Sequence, residues 1–236
     1  MAVSPPAESL RRRRAPRGSG DLLRDEILDA ATELLLDTGH AKAVSIRSVA
    51  DRVGVTPPSI YLHFRDKDAL LDAVCARYFE KLDEEMQRVS AVQSSTVELL
   101  RAQGLAYVRF ATENPELYRI ATMGEWRSGS NVDAALASSA FAHMCAAVGV
   151  LMTEGVFPRG DAAAVALELW SAAHGAASLL IAKPHLPFGD AEAFTDRVLR
   201  AVFLGHIVAG LVGVDATPDQ VVEQLTALKS SVRGSS

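Results

Sequence analysis

The stretch from Ser45 to Val74, SIRSVADRVGVTPPSIYLHFRDKDALLDAV, leaves the chain little conformational freedom. Gly54 separates two short apolar-periodic runs, and Pro57 and Pro58 open the second. Ser45 is placed to cap a helix whose apolar face is Ile46, Val49, Ala50 and Val53, and Gly54 stops it. Thr56 stands at the N-cap of the next helix, with Pro57 and Pro58 in its first two positions. There the amides have no helical partner, so a proline forfeits no hydrogen bond. Ile60 and Phe64 mark its inward face. Asp66 caps a third start, and Leu70, Leu71 and Val74 continue inward along a helix that runs to about Arg88. Two short helices around a glycine turn, preceded by another helix, make a helix-turn-helix unit. The second helix of such a pair is the natural reader of a DNA major groove.

The helix in front is DLLRDEILDAATELLLDTGH. Leu23, Ile27, Ala30 and Leu34 form one stripe, Leu28, Ala31 and Leu35 lie beside it, and Gly39 ends it. Beyond Arg88 the pattern stays helical, with helices expected at 94–114, 116–123, 131–153, 162–182, 190–212 and 218–229. Thr217, Pro218 and Gln220 supply a capping box for the last. No period-two strand and no internal repeat stand out. The expected fold is all-α. A basic tail (1–20) precedes a helix-turn-helix domain (21–68), a helical ligand-binding and dimerisation domain (69–230) and a frayed end (231–236).

Charge follows this division. Residues 1–20 carry five arginines against Glu8; residues 1–70 hold 11 basic and 10 acidic side chains, and the remainder 13 against 19. A mildly basic front and an acidic back fit a DNA-facing head on a body with another task. The formal charge of −5 argues against indiscriminate coating of nucleic acid. Cys75 and Cys145 form no CxxC and are expected to be reduced and buried, which implies a cytoplasmic protein. No apolar run approaches the roughly 18–20 residues that cross a bilayer, so no membrane partner is expected. The start has arginines without an apolar segment after them, unlike a secretory signal; it reads as disordered, able to drape on phosphates.

The outward-facing residues of the reader are Thr56, Pro57, Pro58, Ser59, Tyr61, Leu62 and His63, and the prolines present an apolar surface suited to a thymine methyl group. Arg47 and Lys67 are candidates for backbone phosphates. The arrangement VGV-T-x-x-S-IY-x-HF-x-x-K-x-x-L, within Leu23–Val74, resembles the TetR family of transcriptional regulators. The resemblance implies a homodimeric, all-helical protein that represses transcription and leaves a palindromic operator when a small molecule binds. It also implies that Thr56, Ser59, Tyr61, His63 and Lys67 lie at or near DNA. Where many members have Ala or Lys followed by Gly, this chain has Pro57 and Pro58, so base preference there cannot be borrowed.

The segments 162–182 and 190–212, rich in small residues such as Ala172, Ala173, Ala176 and Ala177, are the candidates for a four-helix dimer seam. GLAYVRFATENPELYRI (Gly104–Ile120) and LELWSAAHGAASLL (Leu167–Leu180) resemble the subclass of these regulators named for a Trp-His-Gly element, here Trp170, His174 and Gly175. Gly175 would permit close approach of another helix. A pocket for a largely hydrophobic effector is expected among Phe110, Tyr118, Met123, Trp126, Phe141, Met144, Trp170 and His174. No cofactor is implied. An enzyme is disfavoured: HExxH, GxSxG and GxxxxGK[ST] are all missing. A metal sensor using His143, Cys145 or His174, an activator, and a ligand-independent regulator of the same fold remain as alternatives.

Overall fold

The structure, a computed structural model, describes residues 20–123 and 139–234. Among these residues every regular element is helical: α1 (Gly20–Thr38), a 3-10 turn (Ala41–Ala43), α2 (Ile46–Val53), α3 (Pro57–Tyr61), α4 (Lys67–Ser90), α5 (Thr96–Glu113), α6 (Pro115–Met123), α7 (Ser139–Thr153), α8 (Ala162–Ala182), α9 (Ala191–Val212) and α10 (Pro218–Gly234). The fold is all-α, with N-terminal helices in a helix-turn-helix arrangement and a C-terminal helical bundle, as the periodicity requires. The first part of the helix expected at 131–153, residues 131–138, lies outside the described residues. The chain divides into two compact units. The described parts of Met1–Glu80 and Asn114–Ala135 form the first, and those of Lys81–Glu113 and Leu136–Ser236 the second. The α4 helix begins in one and ends in the other.

Local chemistry sets the ends of the head helices. Ser45 and Ser48 form a reciprocal capping box at the start of α2. Gly54 closes α2 in the left-handed region, at φ +77°. Thr56 occupies the N-cap of α3, but its hydroxyl does not cap. Pro57 and Pro58 have no N–H to offer, and the next amide, Ser59 N–H, donates to the Thr56 carbonyl at 2.8 Å. The Thr56 hydroxyl instead lies 3.1 Å from Ser59 Oγ. Asp66 accepts from Ala69 N–H at 2.7 Å and starts α4. The expected box at Thr217 and Gln220 is present before α10. The 3-10 turn at Ala41–Ala43 has no sequence counterpart in the expectations.

The first core is built from Ile27, Ala31 and Leu35 of α1, Val49 of α2, Ile60 of α3 and Leu70 of α4, all of them buried. Phe64 closes it from one side, with the Arg24 guanidinium 5.4 Å above its ring. Arg52 ties α2 to α1 through Glu33 (3.1 Å) and Asp37 (2.9 Å). The second core gathers Leu100 of α5, Val148 and Leu151 of α7, and Ala166 and Leu169 of α8 around Phe157. α8 packs on α5, α7 and α9, and α5 packs on α9.

Three expectations need correction. Cys75 is buried, but Cys145 is only half-buried, because α7 turns it toward the edge of its cluster. A Cβ placed on Gly175 would meet nothing within 4 Å, so that glycine serves no close helix contact within the described residues. The close approach lies at Gly104, where a Cβ would come 2.6 Å from Leu199 Cδ1. Finally, α8 is long and apolar enough to cross a membrane by length and composition, with a window of mean hydropathy 1.4, although its helix partners place it in a bundle.

Gly54 and Gly149 give opposite outcomes on substitution by alanine. Neither has an atom within 4 Å of a new Cβ, so backbone preference decides both. Gly54→Ala forces a left-handed alanine and should cost about 1–2 kcal/mol. Gly149→Ala, inside α7, should stabilise by about 0.5–1 kcal/mol. Urea midpoints of the two variants against the parent chain check both signs.

Candidate nucleic-acid interface

The 3-10 turn, α2, α3 and the start of α4 bring the residues predicted for DNA onto neighbouring elements of the first unit. Arg47 is exposed on α2. Thr56 and Pro58 are exposed, while Pro57, Ser59 and His63 are half-buried. Tyr61 is 54% exposed and Leu62 85%. Ile60 and Phe64, expected inward, are buried. Lys67 is half-buried, and its ammonium donates to the Ala41 carbonyl at 2.7 Å. That bond ties the first turn of α4 to the turn that precedes α2. An ammonium has three hydrogens, so the bond leaves donors for a phosphate. Lys42 and Arg65 are also exposed, Arg65 pairing with Asp66 at 3.0 Å.

The residues predicted for an effector pocket divide differently. Tyr118 is wholly buried in the first unit, beside the equally enclosed Tyr78, whose phenol burial holds far above its usual range. Phe141 and Trp170 pack against the second core, which contains Met144. His174 lies against Trp170, with ring centroids 4.9 Å apart. Phe110 lines a groove of about 390 Å³ whose walls are charged: Lys81, Glu84, Arg88, Arg109 and Glu113. Glu85 in this groove takes hydrogen bonds from Arg88 and Arg109, which hold its carboxyl below the usual range. Trp126 and the Met123 side chain lie outside the described residues.

Two interior residues escaped the sequence reading. The Tyr107 hydroxyl lies 3.2 Å from His174 Nδ1, and its ring meets Trp170 edge-on, with centroids 6.4 Å apart. Tyr107, Trp170 and His174 thus form one aromatic group with a polar centre between α5 and α8. Gln103, one turn before Tyr107, is 5% exposed. Its Nε2 donates to Ser90 Oγ at 2.9 Å, and its Oε1 has no partner among the described residues. A glutamine at an inward position of α5 was the available signal. Burial lowers the His174 imidazole from its ordinary range. His143 stands 3.9 Å from Asp83, and no group of three or more metal-binding side chains occurs among the described residues.

Comparison with known proteins matches the chain in two stretches. Residues 27–74 match the family model described as bacterial regulatory proteins, tetR family, and residues 100–202 match the tetracyclin repressor-like C-terminal domain. The HTH-type transcriptional activator FasR of Mycolicibacterium smegmatis is 32% identical over 108 residues, 46% of this chain and 49% of that protein. The nucleoid occlusion factor SlmA of Vibrio cholerae is 29% identical over 97 residues, 41% of this chain and 50% of that protein. The matched region therefore spans about half the length of these curated relatives. A solved structure of a protein with unknown function from Rhodococcus sp. RHA1 superposes with a TM-score of 0.67 at 27% identity. That likeness covers 78% of this chain and 95% of the other.

The buried imidazole makes the stability of the second unit depend on pH. Its folded-state pKa is lowered, so the unfolded chain binds the proton more readily. The neutral ring's contribution is fully present above the unfolded value of about 6.5 and is lost as pH falls below it. The urea midpoint should therefore drop between pH 7.5 and 5.5 by more in the parent chain than in His174→Gln.

Proposed function

The chain belongs to the TetR family of bacterial regulatory proteins, and on that premise we propose that it is a homodimeric, effector-responsive repressor that binds a palindromic operator in the cytoplasm. The exposed reader surface carries this reading: α3 presents Pro58, Tyr61 and Leu62 to solvent, with Arg47, Lys42 and Arg65 around it. Thr56, Pro57, Ser59, His63 and Lys67 complete the proposed DNA contacts.

A reader helix of five residues covers few base pairs, so a second copy is needed to lengthen the site. The surface of the bundle supports one. Only 28% of the apolar window of α8 is buried, which leaves Leu167 and Leu179 about half exposed. On α9, Ala201, Leu204 and Gly205 are exposed and Val208 is half-buried on the same side. Leu211 is 64% exposed. Small residues flanked by leucines suit close helix packing between copies.

For the effector, the Tyr107–His174–Trp170 group is the best-supported anchor, with Phe141 and Met144 nearby supplying apolar wall. Gln103 Oε1 would accept from a hydroxyl or N–H on the ligand. Phe110, in the same unit, stays in the proposal as a candidate. Binding that shifts α4, which spans both units, would change how two reader helices meet the operator.

One finding favours a second reading. FasR, named as an activator, matches over 46% of this chain. Either reading would use the same DNA-binding surface, and where the operator lies relative to the promoter separates them.

Selection of duplexes from a random library by the purified chain, followed by a search for the recovered site near promoters, tests the proposal. A palindrome overlapping a promoter supports the repressor; a palindrome wholly upstream supports the activator. Failure to enrich any duplex, with a dimer confirmed, would overturn both as effector-free binders. Leu204→Glu with Leu211→Glu should shift the chain from dimer to monomer in sedimentation velocity. Arg47→Ala should weaken all duplexes alike and reduce the salt slope of log K by about 1.

A further inference from the structure

From the side chains on α3 we infer that this protein recognises its operator through thymine C5-methyl groups, with Pro58 and Leu62 as the reading residues; the inference rests on the DNA-binding function proposed above. Pro58 and Leu62 stand four residues apart on one helical face, since Leu62 continues α3 with φ −69° and ψ −22°. Pro58 is exposed, and Leu62, at 85%, is the most exposed large hydrophobic residue among those described. A single exposed leucine is ordinary on a protein surface. This one occupies the end of the reader helix, with a second apolar residue one turn before it and Tyr61, 54% exposed, between them.

The charged and amide side chains that make bidentate base contacts are missing from this helix, whose polar side chains are Thr56, Ser59, Tyr61 and His63. From Val55 to Phe64 there is no Arg, Lys, Asn, Gln, Asp or Glu. The bidentate pairs that identify guanine or adenine in the major groove therefore cannot be made from α3. The hydroxyls of Thr56 and Ser59 lie 3.1 Å apart and engage each other at the start of the helix. Lys67, the next cation along the chain after Arg65, is bound to the Ala41 carbonyl. Exposed Lys42, Arg47 and Arg65 provide positive charge on the flanking elements, as a phosphate backbone on either side of a groove requires. An apolar tip on a helix whose neighbouring elements carry exposed cations fits duplex DNA, and the apolar group that a standard base pair offers in the major groove is the thymine methyl.

The test removes single methyl groups. The duplex recovered by selection is remade with each thymine replaced in turn by deoxyuridine, which keeps every hydrogen-bonding group and deletes only the methyl. Binding is measured for the parent chain, Leu62→Ala and Pro58→Ala, with helix content checked by circular dichroism. At least one replacement per half-site should weaken the parent about four- to tenfold, and that loss should shrink to less than twofold in Leu62→Ala or Pro58→Ala. A recovered duplex whose affinity no replacement changes overturns the inference and leaves the regulator intact. So does a methyl effect of equal size in all three proteins, which would report DNA shape. Recovery of no duplex removes the DNA-binding premise, and the inference falls with it.

Discussion

The second unit depends on how closely α5 and α9 approach. A Cβ on Gly104 would sit 2.6 Å from Leu199 Cδ1, so any larger residue would force Leu199 aside. Three residues earlier, Arg101 Nε meets Asp196 at 2.6 Å across the same interface. That guanidinium, with Arg200 behind it, holds the Asp196 carboxyl below its usual range. Packing and charge therefore select one register for the pair. Exposed ion pairs contribute little free energy individually; what this one adds is alignment. α8 rests on both helices, so the meeting of Tyr107 with His174 inherits the register that Gly104 permits.

The head solves a different problem. A helix of five residues has no stability of its own. α3 persists because its neighbours determine it: Gly54 turns the chain, two prolines preset the backbone, and Ile60 and Phe64 anchor the inner face. On the outer face Tyr61 and Leu62 are exposed and add nothing to the buried core. That separation leaves Pro58, Tyr61 and Leu62 available for a surface task without loss to the core.

Features governed by neighbours in sequence were readable in advance. The Ser45 cap, the stop at Gly54, the Asp66 cap and the Thr217–Gln220 box each involve residues within a few positions, and each follows from backbone chemistry, whereas the return bond from Ser48 that completes a box at Ser45 was not expected. Thr56 shows the limit of that reasoning: its cap residue type was right for the position, but the prolines left no early amide free to bond its hydroxyl. Contacts across long separations were invisible. Lys67 reaches Ala41 over 26 residues, Tyr107 reaches His174 over 67, and Arg101 reaches Asp196 over 95. Periodicity tells which face of a helix is inward but not which helix it meets. For that reason the predicted pocket residues were drawn from both units, and Gln103 and Tyr107, on the inward face of α5, were passed over.

Cys75 gives the first unit a built-in chemical clock. It sits in the α4 segment of that core, 5% exposed, and burial pushes its thiol up to about 12. At neutral pH it is both protonated and enclosed, so an alkylating reagent must wait for the core to open. Cys145, half-buried on α7, belongs to the other unit. The rate at which Cys75 is capped therefore reports the opening free energy of the head in the intact chain, without a spectroscopic label.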